Sequence, residues 1–83
     1  MMKQVNVLFF ATLRDHMGAK QIRLDLPEDG GVEALKTKLL ERNPDAGAVL
    51  DIALVSINRE YAFGDEYIPD DAEVALFPHV SGG

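Results

Sequence analysis

Only one long segment of this sequence carries apolar residues at helical spacing, and that limits the possible folds more than any other feature. Val32, Leu35 and Leu39 recur at helical intervals before Asn43-Pro44 stops the pattern, which predicts one amphipathic helix from Val32 to Arg42. Its start carries only Gly31 where an Asp, Asn, Ser or Thr cap is usual, although Glu33 suits the positive end of the helix dipole. The other patterned segments are strand-like. Val5, Val7 and Phe9 alternate with Asn6, Leu8 and Phe10, and Gln21 to Leu26 alternates polar with apolar. Glu73 to Phe77 alternates again until Pro78, which cannot donate to a ladder. Ile52 to Ile57 is a further apolar stretch, Asn58-Arg59-Glu60 reads as a tight turn, and Tyr61-Ala62-Phe63 as a short return strand ended by Gly64. Thr12 to Met17 is expected to form a helical turn closed by Gly18.

The expected order is therefore strand, strand, helix, strand, short strand, strand. That is an α+β chain with a mixed sheet and one main helix across one face, the β-grasp arrangement. One helix covers one face only. If Val7, Phe9, Val74 and Leu76 face the helix, alternation sends Leu8, Phe10, Ala75 and Phe77 to the other side, so the uncovered face is not polar.

A chain of 83 residues, 47% of them hydrophobic, is long enough for one core and too short for two. One folded domain is expected over residues 1–78, with residues 79–83 as a flexible tail. The sequence contains no cysteine, which excludes disulfides, thiolate ligands and a cysteine nucleophile, so any sulfur chemistry must use imported sulfur. His16 and His79 lie far apart and form no metal-ligand spacing, so no metal is expected. A net charge of -6 opposes binding to nucleic-acid phosphates, and also means that work on a phosphorylated small molecule would need a basic partner. The greasy segment Val5 to Leu13 is broken by Asn6 and Thr12 and followed by Arg14-Asp15, so it reads as a strand rather than a leader. No stretch approaches the roughly 20 apolar residues of a membrane span, and a cytoplasmic location with no membrane partner is expected.

The end of the sequence, Phe77-Pro78-His79-Val80-Ser81-Gly82-Gly83, resembles the C-terminus of the ubiquitin-like sulfur carriers that form the small subunit of molybdopterin synthase. Further likeness lies in Val7-Leu8-Phe9-Phe10-Ala11 with Arg14-Asp15 and Gly18, in Val32-Glu33-Ala34-Leu35, in Ile57-Asn58, and in Asp71-Ala72-Glu73-Val74-Ala75, which together span most of the chain. His79 departs from the family pattern, where a second proline usually follows the first, and is given no catalytic role. Gly31 departs where a capping threonine is frequent.

The resemblance implies that the working group is the carboxyl of Gly83. A terminal carboxylate, with a pKa of about 3.5, is ionised at neutral pH and is a poor electrophile until activated. In the family it is adenylated with ATP on a separate activating enzyme and converted to a thiocarboxylate with sulfur from a donor protein; the carrier itself binds no cofactor. The sulfur then passes to a cyclic pterin phosphate held by the synthase large subunit. Val80, Ser81 and Gly82 would thread the tail into a narrow channel, glycine having no side chain to obstruct it. Phe77, Phe10, Leu8 and Tyr61 on the uncovered face would anchor the partner. The acidic pairs Asp65-Glu66 and Asp70-Asp71 are candidates for steering a basic partner, or plain solvated loops. Other readings are a carrier for thiamine or another thiolated product, a ubiquitin-like protein modifier, and an interaction domain whose tail has no role.

Overall fold

The protein is described here by a computed structural model over residues 1–79. The elements are β1 (Met2–Phe9), α1 (Thr12–Met17), β2 (Gln21–Pro27), α2 (Val32–Arg42), a 3-10 turn (Pro44–Ala46), α3 (Gly47–Asp51), β3 (Leu54–Ile57), β4 (Glu60–Ala62) and β5 (Glu73–Phe77). They build one five-stranded sheet in the order β2-β1-β5-β3-β4. The central pair, β1 and β5, is parallel, with Asn6 opposite Glu73 and Phe9 opposite Leu76, and the remaining pairings are antiparallel.

Alternation along the strands decides the layers. Val5, Val7 and Phe9 of β1, Leu24 and Leu26 of β2, Val55 of β3, and Val74 and Leu76 of β5 are buried in one core with Leu35 and Leu39 of α2. An isolated helix of this length is marginal in water, so α2 forms because its apolar stripe is buried, at about 1.5–3 kcal/mol per enclosed side chain. Gly18 closes α1 in the left-handed region, φ 71°, with its N–H donating to Arg14 O at 2.8 Å.

Two expectations need correction. The stretch from Ile52 to Ile57 is not all strand: the chain first makes the 3-10 turn and α3, Ile52 follows α3 as an exposed residue, and β3 begins only at Leu54. The return strand lies one residue early, at Glu60–Ala62, because the turn is the two-residue Asn58-Arg59, with φ of 49° and 71°. That left-handed pair matches the twist of a hairpin and leaves Ile57 opposite Glu60.

Gly31 does begin α2 without a side-chain cap. The segment 65–68 supplies what is missing. Asp65 Oδ1 accepts the N–H of Glu33 at 3.0 Å, Glu66 O accepts that of Val32 at 3.0 Å, and Ile68 inserts into the core. A Cβ on residue 31 would collide with the Glu66 carbonyl oxygen, so the close approach itself requires glycine. Beneath it, the buried Lys3 donates from Nζ to the carbonyls of Glu28 at 3.0 Å and Gly30 at 2.8 Å, and lies 3.9 Å from the centroid of the Tyr67 ring.

Candidate functional site

Among the described residues no helix lies on the second face of the sheet, and its side chains sort into two ends. At one end Arg23 spans β2 and β1, donating to Asn6 Oδ1 at 3.0 Å, Gln4 Oε1 at 3.0 Å and Asp71 Oδ1 at 3.1 Å. At the other end the registers bring together the apolar residues expected there. Leu8 lies opposite Ala75, Ala75 opposite Ser56, Ser56 opposite Tyr61, and Phe77 opposite Leu54. Phe10 and Phe77 stack with centroids 4.8 Å apart and planes 12° from parallel, while Tyr61 tilts against Phe77 at 6.3 Å. Leu8, Phe10 and Phe77 are half-buried and Tyr61 is 59% exposed.

Local chemistry explains the stack. The N–H of Phe10 donates to Leu76 O at 3.1 Å, extending the β1–β5 ladder one residue past β1, and its carbonyl accepts from Leu13 at 3.1 Å. Ala11 then turns the chain with φ 52°, a conformation costly for a residue with a Cβ, and Arg14 Nε donates to Phe9 O at 3.2 Å across the turn. Phe10 is therefore held from both sides while its ring rests on Phe77, the last residue of β5. Such a stack contributes about 0.5–1.5 kcal/mol beyond its buried area. From Phe77 the chain leaves the middle of the sheet through Pro78 and the exposed His79. The tail residues Val80, Ser81, Gly82 and Gly83 lie outside the described residues.

Sequence reasoning missed two residues at this end. Leu54, 41% exposed, reaches the open face because the β3–β5 register sets it against Phe77, a non-local pairing with no local signal. Phe63, 84% exposed, follows β4 at the sheet edge, and the signal available was a bulky aromatic directly before Gly64. The acidic pairs turn out to have internal partners. The N–H of Phe63 donates to Glu66 Oε2 at 2.6 Å and that of Gln4 to Asp70 Oδ1 at 3.1 Å, beside the Asp65 cap and the Asp71 bond to Arg23. No helix among the described residues is long and apolar enough to cross a membrane.

Comparison with known proteins agrees with this arrangement. The chain is 34% identical over 86 residues to the molybdopterin synthase sulfur carrier subunit of Dictyostelium discoideum, covering all of both chains. It superposes on SAMP1, the small archaeal modifier protein 1 of Haloferax volcanii, with a TM-score of 0.81 and 30% identity over 96% of this chain and 99% of that one. It shares its fold with the Helicobacter pylori complex of subunits 1 and 2 of molybdopterin-converting factor, at a TM-score of 0.66 and 20% identity with full coverage of both chains. The profile of the ThiS family matches residues 7–83, and with nearly its whole length accounted for the chain belongs to the ThiS family.

Proposed function

We propose that the chain is the sulfur-carrier subunit of molybdopterin synthase, with the carboxyl of Gly83 as the group that carries sulfur. The observation that carries this reading is the Phe10–Phe77 stack at the end of the central strand, on the face that no helix among the described residues covers. It sets an apolar anchor directly before the segment that ends in Gly82-Gly83. Ordering the two glycines in a channel costs on the order of 2–4 kcal/mol, and an aromatic anchor on the same strand is well placed to offset it. The name of the Dictyostelium relative, identical at 34% of positions, supports the same assignment.

In this reading the Gly83 carboxylate attacks the α-phosphorus of ATP on an activating enzyme, releasing pyrophosphate. Sulfur at the sulfide level, delivered by a donor protein, then attacks the acyl carbon and breaks its bond to the AMP phosphate oxygen, leaving the thiocarboxylate and AMP. The large subunit is the partner for Leu8, Phe10, Tyr61 and Phe77, and its own basic groups hold the pterin phosphate that this acidic chain would repel. Val80, Ser81 and Gly82 thread the tail toward that site. No step uses a metal or a cofactor bound to this chain, and the work is assigned to the cytoplasm.

Deleting Gly83, or adding a residue after it, is expected to abolish sulfur transfer while thermal unfolding stays unchanged. A truncated chain that still supports transfer overturns the assignment. Gly82→Ala, prepared as the thiocarboxylate so that activation is bypassed, is expected to slow single-turnover transfer without loss of partner affinity; normal transfer would confine the glycine pair to the activation step.

The likeness to SAMP1 favours one second reading, a protein modifier whose terminal adenylate is passed to an amine. Mass spectrometry of the chain from its native cell separates the two. A terminus with one oxygen replaced by sulfur supports the carrier, whereas Gly83 isopeptide-linked to lysines of other proteins supports the modifier.

A further inference from the structure

The outer strand β2 combines three features that together specify a partner. It is an edge of the sheet, seven residues long against three for β4 at the opposite edge, and its register with β1 runs without a bulge from Met2 opposite Pro27 to Leu8 opposite Gln21. Its hydrogen-bonding phase is fixed at both ends. The N–H of Phe9 donates to Lys20 O and that of Glu28 to Met1 O, so the even-numbered Ile22, Leu24 and Leu26 bond inward to β1. Gln21, Arg23 and Asp25 consequently direct their N–H and C=O groups outward. Edges of this kind are ordinarily blunted by lysines, bulges or a covering segment, and β2 itself contains no lysine and no bulge.

The third feature is the sequence Gln21-Ile22-Arg23-Leu24-Asp25-Leu26-Pro27, which is complementary to itself when read antiparallel. With a two-fold axis at Leu24, Arg23 faces Asp25 of a second copy and Asp25 faces its Arg23, while Ile22 meets Leu26. The pairs Arg23–Asp25 are then the hydrogen-bonded positions, in agreement with the outward phase. Pro27 has no N–H to leave unpaired, and its carbonyl already accepts the N–H of Gly30 at 2.8 Å, so the ladder is made by the two Arg23–Asp25 pairs. A shift of the register by two residues in one direction sets Arg23 against Arg23, and in the other Asp25 against Asp25. Like charges directly opposite one another are unfavourable, so one register is singled out.

We infer that the free edge of β2 pairs with β2 of a second copy of this chain, antiparallel about Leu24, joining two sheets into one. Asp25 is exposed, and Arg23, already braced by Gln4, Asn6 and Asp71, keeps its side chain 50% exposed. Its charge stands within about 10 Å of the opposing carboxylate, a Debye length at moderate salt, without leaving those partners. The contact is small and the two copies repel through their net charges of -6, so the association is transient. It leaves the aromatic stack free, because β1 separates β2 from β5. The inference does not depend on what Gly83 does.

The test is sedimentation equilibrium of the full chain from about 10 μM to about 1 mM at moderate salt, a range that detects weak pairing. Reversible dimerisation is expected, and Asp25→Arg and Arg23→Asp should each weaken it about tenfold or more, a change of about 1.4 kcal/mol. An equimolar mixture of the two variants restores opposite charges at every pair and should recover the dimer. Asp25→Pro, which removes an outward N–H of the edge strand together with the carboxylate, should also prevent pairing while leaving the fold intact, and serves if Arg23→Asp unfolds. Amide exchange at Gln21, Arg23 and Asp25 should slow as concentration rises, with no change at Glu60 to Ala62. A chain that stays monomeric throughout the range overturns the inference. So does a dimer indifferent to both Asp25 variants, or pairing of the wild type only with an extended segment of some other protein.

Discussion

The two faces of the sheet are built from the same strands by the same alternation, yet they meet different fates. On one face Val5, Val7, Phe9, Val74 and Leu76 are sealed beneath α2. On the other, Leu8, Phe10, Phe77, Leu54 and Tyr61 are equally apolar, with no second layer over them among the described residues. The difference lies in how many helices the chain can supply. With one helix of useful length among the described residues, the apolar residues on the second face are left without a covering layer there. Burial thus reports on folding for the first face, and residual exposure makes the second the surface for the proposed association.

Paired substitutions sharpen that contrast. The largest effect is expected for Phe9→Ala, which empties a side chain only 1% exposed at the centre of the covered face. It should cost about 3–5 kcal/mol in urea unfolding, enough to threaten the fold. A loss below about 1 kcal/mol would show that the covered face can collapse around the cavity and would erase the distinction.

Phe77→Ala should behave in the opposite way. It removes one ring of the 4.8 Å stack and a half-buried surface, so stability should fall by only about 1 kcal/mol. Affinity for the proposed large-subunit partner should fall by about 2 kcal/mol or more, roughly thirtyfold by isothermal titration. Unchanged affinity in a folded variant would assign Phe77 to the core and leave the open face without its principal anchor.

The smallest effect is expected for Asp65→Ala, which strips the cap that the loop lends to α2. A loss of about 1 kcal/mol in thermal or urea unfolding, with partner binding unchanged, fits a residue that serves the covered face. Weaker binding at low salt with unaltered stability would instead restore Asp65 to the role of a steering charge.

Much of this architecture was legible before any coordinates. The limits of α1 and α2, the alternation of β1, β2 and β5, and the two-sidedness of β1 follow from local periodicity, and the structure repeats them. What escaped was set by contacts between distant residues. The 3-10 turn and α3 are short pieces between Pro44 and Asp51 whose two buried residues, Ala46 and Leu50, are too few to set a period. Leu54 joined the open face through its register with Phe77, and Asp65 became a cap through a loop folded back on Gly31. Lys3 was also missed, since a lysine near the start of a strand carries no local sign that it will be buried against two carbonyls and a ring. Within the site, the proposed partner residues Leu8, Phe10, Phe77 and Tyr61 could be placed on a face by counting, whereas the contact between the rings of Phe10 and Phe77 could not.

The parallel pairing of β1 with β5 has a consequence for how the molecule comes into being. The strand made first lies beside the strand made last, with Asn6 opposite Glu73, so a chain emerging from the ribosome cannot close its sheet until Phe77 has been released. Until then the greasy residues of β1 have no lasting partner and depend on transient cover. A chain that stops before Glu73 therefore lacks the strand that joins β1 to β3 and cannot complete the sheet.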